Sequence, residues 1–261
     1  METTELVNVM TKYERISVIL SIIAIIISVS VPFVQWLYKE KRKAVLKYYP
    51  TGRAFLYTNR SGSYLRLDGV FEALKKPISL KKISISITRD KDDKKLKLEW
   101  LKFYSPTTQN LMGMQASAEE LAHPFRIDAD HVTCAFIEFF DPVESAGKAI
   151  RPEHEKLVEE CNRIKATEPD FKTALAKLIN TETYRRARSA IEKELFWEIG
   201  KMKAVISASF ENRSETFTVE FSVSENQYAM LISGIDEICV FPLKSLYGMQ
   251  VNYQPVVVDV K

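Results

Sequence analysis

The chain has 261 residues, of which 46% are hydrophobic and 27% charged, with 37 basic and 34 acidic side chains. This composition excludes a wholly disordered protein and leaves enough apolar mass for a folded core. The three cysteines are odd in number and widely spaced, so the sequence predicts neither a disulfide framework nor a zinc finger.

An uncharged stretch near the amino terminus is the strongest signal in the chain. Residues 16–37 number 22, and 16 of them are hydrophobic. A helix of this length would extend about 33 Å, close to the thickness of a hydrocarbon core. A buried core helix would normally show a polar stripe, and a cleaved signal peptide would have a shorter apolar core. The sequence therefore predicts one transmembrane helix over 16–37, after a short tail over 1–15.

The basic residues around this stretch predict its orientation. Two Lys or Arg residues precede this stretch and five follow it. The positive-inside rule therefore predicts that the larger, carboxy-terminal part lies in the cytoplasm. The helix would then span the inner or plasma membrane of the cell. The alternative is a body outside the cytoplasm. The segment 38–50 is expected to contact anionic lipid head groups, or merely to fix the topology, through Lys39, Lys41, Arg42, Lys43 and Lys47.

Charge is balanced in the rest of the chain. Residues 48–261 contain 30 basic and 30 acidic side chains. A neutral body lacks the positive surface of a nucleic-acid-binding domain, so no nucleic-acid partner is expected.

Small residues line one face of the predicted membrane helix at spacings of 4, 3 and 4, namely Ser17, Ser21, Ala24 and Ser28. Small residues let helices approach closely in a membrane. This small-residue stripe predicts self-association or docking on a partner's helix. The alternative is that a membrane span simply tolerates serine and alanine.

Alternating apolar and polar residues dominate the chain after residue 50. The alternation is strict over 83–88, 96–100 and 217–223, which is typical of antiparallel strands with one buried face. Further strands are expected over 53–58, 64–70, 132–140, 203–210 and 250–258. About eight strands predict a β-sandwich-like domain over 51–261.

Helical periodicity interrupts this pattern. Apolar stripes predict a helical insertion at about 150–200, with Asp170 near the start of one of its helices. Capping-box spacing predicts a short helix from Ser117 and another over 225–233 after Ser224. The fold class is therefore α+β.

Motifs for common chemistry are missing from the sequence. No glycines stand at G-x-G spacing, and neither a P-loop nor a G-x-S-x-G motif occurs. Residues 123–134 gather His123, Asp128, Asp130, His131 and Cys134, but their spacing fits no zinc pattern. The preferred interpretation is a turn entering a strand, with Cys134 buried. No catalytic residue, cofactor or metal ligand is therefore assigned.

Residues 75–97 carry nine basic side chains against three acidic ones. This basic segment is interpreted as a solvated face with lysines on an edge strand, or as a second patch for lipid head groups.

Together these patterns predict a non-enzymatic interaction or scaffold protein, tethered to the membrane and binding a protein partner or a second copy. One alternative is a sensor in which ligand binding to the body reorganises clustered membrane helices. A weaker one is a membrane-anchored hydrolase or metal enzyme that uses residues 123–134.

Overall fold

A computed structural model describes the backbone of residues 12–111, 114–250 and 255–261, and the side chains of 16–38, 41–104, 119–250 and 255–261. The described residues begin with one long helix, α1 (Lys12–Lys41). Its segment Ile16–Tyr38 is long and apolar enough to span a membrane, and no part of its most apolar window is buried against the body. The body that follows is an α+β domain.

In the described part of the chain, ten strands form one antiparallel sheet. They are β1 (Val45–Asn59), β2 (Gly62–Leu74), β3 (Ile78–Arg89), β4 (Lys95–Leu111), β5 (Met114–Leu121), β6 (Phe125–Ile127), β7 (His131–Phe140), β8 (Gly200–Phe210), β9 (Arg213–Val223) and β10 (Val256–Asp259). Their order is β10-β1-β2-β7-β4-β3-β8-β9, with β5 paired to β4 and β6 paired to β3.

The sheet curls until its two edge strands meet. Phe221 of β9 forms an antiparallel bridge with Val260, and the backbones of Glu220 and Lys261 exchange two hydrogen bonds of 3.0 and 2.8 Å. The predicted antiparallel body is confirmed. All of the described strands belong to one curled sheet whose walls enclose a common core.

The alternation of apolar and polar residues along the strands explains how the core forms. Along β3, for example, Ile83, Ile85 and Ile87 are fully buried while the residues between them face outward. The same period of two runs through β2 and β8, so inward side chains from every wall meet in the middle.

Among the described residues of the body, four helices accompany the sheet: α2 (Ser145–Thr167), α3 (Phe171–Ile179), α4 (Glu182–Glu194) and α5 (Glu225–Leu246). β7 and β9 run in the same direction as β1 and lead into α2 and α5. The helices therefore gather where β1 ends, which we call the helix end. α1 joins the body where β1 begins, which we call the anchor end. At about 3.3 Å per residue, the length of β1 separates the two ends by roughly 45 Å.

The predicted helical insertion at about 150–200 is confirmed as α2, α3 and α4. Asp170 is the N-cap of α3 and accepts from the backbone N–H of Thr173 at 2.9 Å. Ser224 and Gln227 form both halves of a capping box on α5, as the spacing predicts. However, α5 continues to Leu246, since its apolar side chains pack against α2, α4 and β1.

The short helix predicted from Ser117 is wrong. These residues form β5, in which Glu119 and Glu120 pair with Tyr104 and Phe103 of β4. The backbone N–H and C=O groups of this segment hydrogen-bond to β4. This strand pairing outweighs the local helix preference that the capping-box spacing indicated. Of the predicted strand over 250–258, residues 251–254 lie outside the described residues, and β10 covers the end of the range.

Candidate functional site

Two adjoining cavities form a groove at the helix end, between the β1–β2 turn and helices α2 and α5. Their volumes are about 340 and 490 Å³, and both are lined by Arg60, Ser61 and His154. Ligand sites in proteins usually fall in this range of volume. We call this feature the helix-end groove; it has a polar lobe and an apolar lobe.

A glycine lets the two walls of the groove meet. A Cβ atom added to Gly147 in α2 would lie 3.0 Å from Cα of Ser61 and 3.1 Å from its carbonyl oxygen. Any larger residue would push the β1–β2 turn away from the first turns of α2. Gly147 therefore fixes the width of the polar lobe.

His154 lies between the two lobes. Its side chain continues the buried stripe of α2, and the residue is only 8% exposed. Burial, reinforced by the nearby Arg60 guanidinium, lowers the pKa of His154 below its usual 6.5. The imidazole is therefore neutral at pH 7, with one nitrogen as donor and the other as acceptor. Within the described part of the chain it forms no hydrogen bond.

Charged side chains surround the polar lobe. The Arg151 guanidinium lies 3.5 Å from the Glu144 carboxylate, so the two opposite charges neutralise each other. Glu155 also lines the lobe and favours the protonated form of His154. Arg60 forms no ion pair with the residues that the structure describes. Its guanidinium is therefore a cation available to a ligand.

Apolar side chains line the other lobe: Tyr57 on the sheet, and Ile238 and Phe241 on α5. Phe241 is 46% exposed although it is a large aromatic residue. Tyr57 is held firmly, because its hydroxyl group hydrogen-bonds Glu138 and its carbonyl oxygen accepts from Nε1 of Trp197 at 3.2 Å. Burial and that bond raise the pKa of Tyr57, so the ring is a fixed, neutral wall.

The sequence-predicted basic residues lie at the anchor end. Lys41 is the last residue of α1, Arg42 and Lys43 connect it to the body, and Lys47 is on β1. The Arg42 guanidinium stacks 4.2 Å over the Tyr38 ring. The side chain of Lys39 lies outside the described residues. The structure thus brings the described members of this set together near the end of α1.

The small-residue stripe lies on α1. Ser17, Ser21, Ala24 and Ser28 are all exposed, and the Ser28 hydroxyl donates to the carbonyl oxygen of Ile25 at 2.9 Å. Association through this face stays a prediction.

Residues 123–134 do not converge on one point. The Asp128 carboxylate accepts from Nε of Arg126 at 3.1 Å, and Asp130 has a φ of 58° in the turn before β7. These contacts confirm the turn interpretation. No group of three or more His, Cys, Asp or Glu side chains in the described residues could hold a metal ion.

The prediction that Cys134 is buried is wrong. Cys134 is exposed, because the alternation of β7 sends Ala135 and Ile137 into the core and Cys134 to the outer face. The outer face of this wall is uncovered at Cys134.

The basic segment 75–97 does not form one patch. β3 carries it along the height of the body, so Lys75 and Lys76 lie at the anchor end and Lys94 and Lys95 at the helix end. About 40 Å of strand separates the two groups.

Sequence reasoning missed the helix-end groove. The available signal was the spacing of His154, which precedes Leu157 and Cys161 on the same buried stripe of α2. A polar residue inside an apolar stripe marks a position that needs explanation. Nothing in the sequence showed that the β1–β2 turn would lie against it.

No protein-family profile matches the sequence, and comparison with curated proteins gave no significant match. The function therefore has to be argued from these surfaces.

Proposed function

We propose that the protein is a single-pass membrane-anchored interaction module whose body lies at the cytoplasmic face of the membrane and binds a partner there. The observation that carries this proposal is the exposed apolar surface of Ile16–Tyr38, which has no cover in the body and ends beside Lys41, Arg42 and Lys43. A helix with this surface needs a lipid environment, and the cations suit anionic head groups.

The partner surface in this proposal is the helix end. α1 enters the body at the opposite end, so the helices point away from the bilayer, roughly 45 Å from the start of β1. Exposed apolar side chains occur there on α3 and α5, at Ile179, Met230 and Leu246. The sandwich-like core of the body would act as a rigid spacer between the two ends. The balanced charge of the body does not favour a nucleic-acid partner.

A sensor function is the second candidate, and the helix-end groove favours it. In this version the small-residue stripe holds two or more α1 helices together, and a ligand in the groove changes their arrangement. The stripe would equally let a scaffold form homo-oligomers.

The cytoplasmic orientation gives a direct prediction for the cysteines. Burial raises the pKa of Cys161 to about 11 and that of Cys239 to about 12, so both stay protonated and unreactive, whereas Cys134 is exposed. In intact cells a membrane-impermeant maleimide should leave the protein unlabelled, and permeabilisation should label it. The Cys134→Ser variant should abolish that label. Labelling of the wild type in intact cells would place the body outside.

The partner surface can be tested by cross-linking in living cells. A photoreactive phenylalanine analogue replaces Met230 at the helix end or, as the control, Val132 on the wall of the sheet; the two residues are 54% and 63% exposed. We expect a discrete cross-linked species only from position 230. Equal products from both positions, or products from Val132 alone, would contradict binding at the helix end.

A further inference from the structure

We propose that the helix-end groove binds a small organic anion, in which a carboxylate or phosphate group is carried on an apolar, preferably aromatic, body. The anionic group would lie in the polar lobe beside Arg60 and His154, and the apolar body would lie against Tyr57 and Phe241. Binding in this groove would not require α1 to lie in a membrane.

The polar lobe favours one anionic group. Arg151 is compensated by Glu144 at 3.5 Å, and across the groove Glu237 is engaged by Lys244. Arg60 forms no ion pair with the described residues, although it borders both cavities. A guanidinium presents paired N–H donors that match a carboxylate or phosphate. Glu155 faces the same lobe and would disfavour a bulky, highly charged ligand.

His154 is the second and independent indication of a ligand. The residue is only 8% exposed, lines both lobes and lacks a hydrogen bond within the described residues. Its ring nitrogens are not among the fully buried side-chain atoms, so they are accessible from the groove. An anion beside Arg60 would accept a hydrogen bond from the imidazole N–H.

The apolar lobe supplies the rest of the selectivity. Tyr57, Ile238 and Phe241 line a cavity of about 490 Å³, which is large enough for an aromatic ring. Inorganic phosphate alone would leave this lobe empty, and a neutral aromatic molecule would leave Arg60 without its counter-ion. Both parts of the ligand are therefore needed for tight binding.

The test follows the three histidine signals of full-length protein, labelled with carbon-13 histidine and held in zwitterionic lipid nanodiscs. The probes are benzoate, phenyl phosphate, inorganic phosphate and benzyl alcohol. We expect at least one aromatic anion to shift the His154 signal saturably while the signals of His123 and His131 stay in place. The tighter of the two aromatic anions identifies the head group. Inorganic phosphate and benzyl alcohol should bind at least about tenfold more weakly.

Variants at exposed positions keep the test independent of folding. Arg60→Gln should weaken binding about tenfold or more, and Phe241→Ser about fivefold. Arg163→Gln is the matched control, because Arg163 is an exposed arginine of α2 that pairs with Glu160 on its own helix, and the variant should bind like the wild type. No His154 shift with either aromatic anion, equal shifts with benzyl alcohol, or unchanged binding by Arg60→Gln would overturn the proposal.

Discussion

Replacing Arg89 by methionine is expected to lower the free energy of unfolding by about 3 kcal/mol. The Arg89 side chain is only 5% exposed, and it joins the end of β3 to the segment between α4 and β8. It donates to the carbonyl oxygen of Phe196 at 3.0 Å, and its guanidinium forms an ion pair with the Glu198 carboxylate at 2.8 Å. It also donates twice to Asp92. Methionine would leave the buried Phe196 carbonyl group unsatisfied and two carboxylates without their cation.

The matched control is Arg163→Met. Arg163 has 75% of its side chain exposed and pairs with Glu160 one helical turn away, so its loss should change stability by about 0.5 kcal/mol or less. Urea unfolding at neutral pH compares the variants.

The stabilisation by Arg89 should depend on pH. Hydrogen bonds from Arg89 lower the pKa of Asp92 below its usual 3.8, so the contribution of Asp92 to folding stability is present above pH 3.8 and lost as the pH falls further. The difference between wild type and Arg89→Met should shrink in that range. Equal free energies of unfolding for the two variants at neutral pH would show that the contacts of Arg89 do not stabilise the fold.

Gly69→Ala is expected to cost about 2 to 3 kcal/mol of unfolding free energy. A Cβ atom at Gly69 on β2 would lie 2.3 Å from the ring and hydroxyl atoms of Tyr48 on the paired strand β1. The Tyr48 ring cannot retreat easily, since its centroid lies 4.9 Å from that of Phe71 and 5.9 Å from that of Phe217. The glycine is required here because an aromatic ring occupies the space above it.

A double-mutant cycle isolates this contact. Tyr48→Leu removes the ring, so Gly69→Ala should then cost less than about 1 kcal/mol. Thermal or urea unfolding of the four proteins gives the coupling. If Gly69→Ala were equally costly in both backgrounds, the close approach of Tyr48 would not explain it.

The sequence allowed the strands to be predicted where one face of the sheet is solvated. Ile83, Ile85 and Ile87 alternate with polar residues, and the structure places them in the core. Helix caps could also be predicted where a side chain hydrogen-bonds to backbone groups a few residues away, as at Ser224 and Gln227. These features depend on neighbours within a few residues.

The remaining features depend on contacts between distant parts of the chain. The meeting of β9 with the segment around Val260 closes the sheet, and no local pattern encodes that pairing. Tertiary neighbours also decide three features that the sequence did not predict. They are the strand at Glu119, the length of α5 and the exposure of Cys134. The helix-end groove needs Ser61 and His154, which are far apart in sequence, to lie together.

Fractionation of cells that produce the full chain tests the central claim most directly. We expect the protein to sediment with membranes, to resist an alkaline carbonate wash and to be released by detergent. A variant with Ile23→Arg and Ile26→Arg should fail to insert, because each charge at the centre of a span costs roughly 3 kcal/mol. Recovery of the wild-type protein in the supernatant without detergent would contradict the membrane anchor, and with it the proposed role at the membrane surface.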